Sequence, residues 1–144
     1  MGVSAATIKR RAFKMLAALA LDESELSIAL VSDKVIHALN RDYRKKDKPT
    51  DVLAFAMREG EGIAMGGASH SEVLGDVIIS VDTARKQARA HKKTLLEEMT
   101  MLLAHGLLHL LGYDHQNDRD ERVMNAKTEN LVQAARSFRA GFAA

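Results

Sequence analysis

The sequence predicts an α/β fold: a single domain over residues 1–144 in which helices cover a small mixed sheet. Three observations lead there. The chain has the length of one ordinary domain, and 47% of its residues are hydrophobic, enough to fill one core. Charged residues make up 28%, a globular rather than disordered balance. Segments with helical spacing of apolar residues alternate with short β-branched runs, and no repeat, linker or low-complexity tract interrupts them.

The first helix precedes Asp22, with Ile8, Phe13, Leu16, Leu19 and Ala20 as its inward residues. This segment is basic and free of acids, with Lys9, Arg10, Arg11 and Lys14, as transit peptides and membrane-surface helices also are. Its periodicity reads better as a helix packed on the core. The apolar run Met15 to Leu21 is far too short to span a bilayer. Asp22-Glu23-Ser24 reads as a turn. A strand follows from Glu25 to Ser32, with Leu26, Ile28 and Leu30 on one face.

Ser32 or Asp33 caps a second helix, whose apolar stripe is Val35, Ile36 and Leu39. It runs out in a basic knot, Arg41, Arg44, Lys45, Lys46 and Lys48, and Pro49 forbids continuation. Asp51 to Met57 reads as a second strand, and the glycine-rich stretch Arg58 to Ser71 as a mobile loop or hairpin tip. Val73 to Ser80 is a buried strand interrupted by Gly75 and Asp76. Asp82 begins a polar helix ending near His91. Thr94 stands three residues before Glu97, a capping-box spacing that opens the next helix, with Leu95, Met99, Leu102, Leu103 and Leu110 as its apolar positions. Asp118 to Arg139 forms a last helix, with Val123, Leu131 and Phe138 turned inward.

The capped helix carries the chemistry. His105 and His109 are four residues apart, so both imidazoles leave the same helix face one turn apart. Gly112 can end the helix in a left-handed conformation, and His115 can then swing back as a third nitrogen ligand. Single histidines on apolar helices are usually satisfied core residues, but three with a glycine at the turn form a metal-binding histidine helix. Three nitrogens leave a tetrahedral ion an open fourth position, the pattern of catalytic zinc. The chain has no cysteine, so disulfides and thiolate ligands are both excluded, a cytosolic home is expected, and any metal must use histidine and carboxylate. Imidazole ligands favour Zn²⁺ over magnesium or calcium. The net charge of +2 points to no partner by itself.

The spacing of His105, His109, Gly112 and His115 matches the zinc-peptidase pattern H-E-x-x-H-x-x-G-x-x-H at every position but one. Gly106 stands where those peptidases have their glutamate base. The metal cage is kept and the base is missing.

The run from His105 to His115 resembles the signature of the YbeY family of bacterial endoribonucleases, also called rRNA maturation factors. Leu39 to Leu53 and Leu74 to Ser80 resemble two further motifs of that family, and the similarity spans roughly residues 26 to 135. The resemblance implies a zinc-dependent endonuclease that cuts single-stranded RNA, processes ribosomal RNA and serves quality control of the small ribosomal subunit. By motif match His105, His109 and His115 become the ligands of one zinc per chain, and Arg44 the catalytic basic residue facing it across a cleft. Two departures stand out. Family members often read Ser-Phe-Pro where this chain has Ala54-Phe55-Ala56, which bears on the strand lining the cleft. Many begin with an extra strand before the first helix, which bears on the strand count.

Such an activity makes chemical sense of the residues. Phosphodiester cleavage builds negative charge that zinc and a guanidinium both stabilise. Zinc also brings the pKa of water toward neutrality, so no strong protein base is required; the RNA 2′-hydroxyl is the alternative nucleophile. A cationic helix end is often simply solvated, and the metal site and motif tip Arg44, more than the lysines, toward phosphate. Asp76 and Asp114 are candidates for orienting a ligand histidine, or else ordinary turn carboxylates. His37, His70 and His91 read as surface or packing residues. The competing functions are a zinc peptidase borrowing a carboxylate such as Asp76 or Asp114, and a non-catalytic ribosome-binding factor with structural zinc.

Overall fold

The chain folds in the order α1 (Ala5–Ala18), β1 (Glu25–Val31), α2 (Asp33–Arg44), β2 (Val52–Ala56), β3 (Val73–Ser80), α3 (Val81–His91), α4 (Leu95–Leu110) and α5 (Asp118–Arg136). The structure, a computed structural model, describes residues 2–57, 73–114 and 116–137. Among these the three strands form one sheet in the order β1-β3-β2, with β1 parallel and β2 antiparallel to β3. This is the single α/β domain with a small mixed sheet that the sequence predicts.

Helix α4 is the centre of the packing, and local chemistry sets both its ends. The Thr94 hydroxyl accepts the Glu97 N–H at 3.1 Å while the Glu97 carboxylate accepts the Thr94 N–H at 2.9 Å, closing the capping box. At the other end Gly112 takes a φ of +97°. The N–H groups of Gly112 and Tyr113 return to the carbonyls of His109 and Leu108, each at 3.0 Å. This is a Schellman ending, whose left-handed position glycine fills without strain. Ten of the sixteen residues between are buried, so α4 is core around most of its circumference.

Strand register builds the face that α4 covers. Pairing aligns Leu26, Ile28 and Leu30 of β1 with Gly75, Val77 and Ile79 of β3, and Val52 and Ala54 of β2 with Ile79 and Val77. Those side chains therefore share one face of the pleat. Helix α4 approaches so closely that a Cβ on Gly106 would lie 2.8 Å from Val77 Cγ1. Outside α4, Ile8, Ala12, Met15 and Leu16 of α1 and Met124, Leu131 and Ala135 of α5 complete the core. Helix α2 packs on the opposite face, where Ile36 and Leu53 are buried. Its N-terminus is tied to that of α3, since Asp33 Oδ1 accepts from the hydroxyls of Ser80 and Thr83 at 2.6 and 2.5 Å.

Several inward residues differ from expectation. Phe13 is 55% exposed, because a step of five residues from Ile8 turns about 140° around a helix. The buried stripe instead takes Ala12 and Met15. Ala20 lies past the helix end, exposed and in a left-handed turn. Val35 is exposed, and Asn40, one turn after Ile36, is buried in α2 instead. Val123 is exposed too, because Met124 is the residue seven before Leu131. Phe138 and the stretch 58–71 lie outside the described residues, and α5 is described to Arg136. No helix among the described residues is long and apolar enough to cross a membrane.

Candidate active site

The histidine pair stands at the C-terminal half of α4. His105 and His109, both half-buried, have their Nε2 atoms 3.2 Å apart and their ring centroids 4.8 Å apart at 71°. Neutral imidazoles at that distance share one proton as N–H···N, the donor being whichever ring holds the Nε2 tautomer. The same spacing suits chelation. Two nitrogens at 2.0–2.1 Å from a tetrahedral zinc are about 3.3 Å apart. The donor chemistry and separation of this pair thus fit a zinc ion. His115 lies outside the described residues, and among the described residues no three metal-ligating side chains converge.

His109 also lines a groove of about 770 Å³ with Arg44, Lys46, Lys48 and strand β2. The groove follows the edge of β2 that is open among the described residues, bounded by α4 from one face of the sheet and α2 from the other. An edge strand has outward carbonyls that no neighbouring strand satisfies. Arg44 Nη2 donates to one of them, Ala54 O, at 2.5 Å, and the guanidinium lies 4.7 Å over the Phe55 ring. Tyr43 meets the same ring edge-on at 5.8 Å and is 67% exposed. Cation and aromatic surface therefore sit side by side on the groove wall.

The basic knot divides once folded. Arg41 turns to Asp42 at 3.0 Å, and that hydrogen bond, then the Asp42 charge, raises its pKa. Lys45 is the left-handed C-cap of α2, with φ at 60°. Asp47 pairs with His37 at 2.7 Å. Arg44, Lys46 and Lys48 are left to line the groove. Asn40 arranges them: its backbone carbonyl accepts the Lys46 N–H at 3.2 Å and its buried amide donates to Lys48 O at 2.9 Å. This positioning role went unread in the sequence, where the only signal is a polar residue one helical turn after Ile36.

The lesser candidates separate as well. Alternation turns Asp76 away from the Val77 face that α4 covers, so the structure does not bring it to the histidines. Asp114 is exposed and accepts the Gln116 amide at 2.9 Å. His91 packs against the buried carboxylate of Glu98 at 3.1 Å. The peptidase-base position at Gly106 is closed off by Val77 and Val52.

Comparison with known proteins joins these observations. A family model described as Endoribonuclease YbeY matches residues 3–136, extending through α1 the resemblance read from residue 26. A curated protein of that name from Pelotomaculum thermopropionicum is 47% identical over 111 residues, covering 77% of this chain and 72% of its own length. Its Bacillus subtilis counterpart is 46% identical over 115 residues, covering 78% and 73%. The solution structure of a Thermotoga maritima protein superposes with a TM-score of 0.62 at 26% identity, over 94% of this chain and 85% of that one. On the match over nearly its whole length, the chain belongs to the Endoribonuclease YbeY family.

Proposed function

We propose that this chain is an endoribonuclease that cuts single-stranded RNA at a zinc ion held by His105, His109 and His115, with Arg44 acting on the phosphate. The observation that carries the reading is the shared groove, in which His109 of α4 and Arg44 of α2 line one cavity. Family membership supports the RNA substrate. Bound zinc would supply Lewis acidity at the phosphoryl oxygens.

The chain's own residues account for the rest. Arg44 spends one N–H on Ala54 O, which fixes the guanidinium plane and leaves the remainder of its fork for phosphate oxygens. Lys46 and Lys48 offer point charges to the same backbone. Tyr43 and Phe55 present ring surface beside those charges, and unstacked bases of a single strand can use such surface where paired bases cannot. Ribosomal RNA of the small ribosomal subunit, matured and checked in the cytoplasm, is the substrate this reading assigns.

Single-turnover cleavage of a single-stranded RNA, with zinc content measured in each protein, tests the reading. Arg44→Lys keeps charge and loses the planar fork, so RNA binding persists while the rate falls about tenfold or more. Arg44→Glu loses both. A zinc-loaded native protein that cuts no RNA would return the chain to a binding factor, and an Arg44→Glu variant cutting at the native rate would remove Arg44 from the chemistry.

A further inference from the structure

A second recess borders the histidine helix, at His105 rather than His109. It encloses about 240 Å³, and its wall includes Arg11 of α1, Lys93 just before α4, and Arg136 in the last turn of α5. None of these three cations forms an ion pair among the described residues. Two carboxylates stand in the same wall, and the charge of one, Glu97, offsets part of the cationic charge by acting on Arg11, Arg136 and Lys93. Glu97 accepts the Thr94 N–H, and Glu129 accepts the Gln133 amide at 3.0 Å.

Arg11 is positioned rather than neutralised. Its Nη1 donates at 3.0 Å to Thr100 Oγ1, whose own proton goes to Leu96 O at 2.6 Å. Burial first, and the Arg136 charge second, push the Arg11 pKa down, with Glu97 opposing them. Two guanidiniums thus face one half-closed recess and repel each other. A group carrying negative charge on several oxygens would relieve the repulsion and use planar forks aimed from two helices.

We propose that this recess binds a phosphate group. Its volume lies below the roughly 300–1,000 Å³ of pockets that enclose drug-sized ligands, and so suits one phosphoryl group rather than a whole nucleotide. The phosphate comes either from an RNA backbone, one stretch along from the linkage at Arg44, or from a free phosphomonoester. The backbone source rests on the endoribonuclease reading; the phosphate chemistry does not.

Two measurements on the full chain decide it. Inorganic phosphate, compared with chloride at matched ionic strength, is expected to raise the melting temperature of native protein, and Arg136→Gln and Arg11→Lys are expected to weaken that protection. The Arg136 side chain makes no hydrogen bond or ion pair among the described residues, so its variant is expected to fold. The second measurement is the salt dependence of binding to a single-stranded RNA. Loss of one phosphate contact in Arg136→Gln lowers the slope by about 0.7. A reduced slope identifies the RNA backbone as the source. An unchanged slope with phosphate protection lost identifies a free phosphate. Equal protection by chloride and phosphate together with an unchanged slope overturns the site. Should the native protein bind no RNA, the endoribonuclease reading falls while the phosphate arm still decides the recess.

Discussion

Gly106→Ala tests the claim that helix α4 is pressed onto the sheet by the absence of one side chain. An ideal Cβ there lies 2.8 Å from Val77 Cγ1 and 3.2 Å from both Val52 Cγ2 and Val77 Cγ2. Carbon atoms prefer roughly 3.5–4.0 Å, so the helix and Val77 must separate by about 0.7 Å at the least. Val77 is fully buried and β-branched, and turns aside poorly. Overpacking of this kind costs about 1–3 kcal/mol, while replacing glycine by alanine inside a helix returns about 0.8–1 kcal/mol. The net is a destabilisation of about 1 kcal/mol, or a fall in Tm of about 3–5 °C for a chain of this size.

Urea unfolding of Gly106→Ala, Val77→Ala and the double variant isolates the clash from its background. Truncating Val77 leaves room for the new methyl, so the double variant should be more stable than the sum of the two single losses by about 1 kcal/mol. An additive cycle, or a Gly106→Ala variant about 1 kcal/mol more stable than native, would show that the helix does not touch the sheet at this point.

Three further outcomes are expected. His109→Ala should lose most bound zinc by atomic absorption yet keep its helical circular dichroism, because the α4 core is apolar; full occupancy would take the metal away from this helix. Asp33 is held below the ordinary carboxylate pKa of 3.8 by the Ser80 and then the Thr83 hydroxyl, with burial opposing and Lys86 adding a smaller favourable part. A depressed carboxylate stabilises the fold above its unfolded pKa, and that contribution is lost as pH falls through the folded one. Asp33→Asn should therefore unfold about 1–2 kcal/mol more easily at pH 7, with the gap closing as pH falls below 3.8 and through the lowered folded pKa, and a gap independent of pH would refute the linkage. Asn40→Ala should weaken RNA binding without releasing zinc, since it frees the Lys46–Lys48 turn; unchanged affinity would leave that turn without a positioning role.

The sequence made helix ends and the placement of the histidine pair legible for local reasons. Thr94 with Glu97, and Gly112 in a left-handed turn, need only their own neighbours to act, and both form as read. The histidine pair follows from helical geometry alone. Phe13, Val35 and Val123 were misread because hydrophobicity fixes which residues can be buried, whereas packing between elements chooses the stripe. Asn40 was missed for the converse reason, since its hydrogen bonds reach a turn whose path no single residue announces. Asp76 looked like a site residue because a carboxylate in an apolar strand is costly unless used. Only the register of β2 against β3 reveals that it faces away from α4.

The groove itself required the sheet order. Three strands in the order β1-β3-β2 leave β2 at one edge, and an open edge among the described residues invites pairing with another chain. Proteins blunt such edges with charge. Here Arg44 binds the edge carbonyl of Ala54, while Lys46 and Lys48 line the same side. The cations that discourage strand addition are also those that share a groove with His109 of the histidine helix, and on the proposed function they are the ones that would meet a phosphate there. One arrangement thus answers two demands. Among the described residues the edge has room beside it for the extended nucleic-acid strand of the proposed function, and its cations oppose addition of another β-strand from a basic protein such as this one.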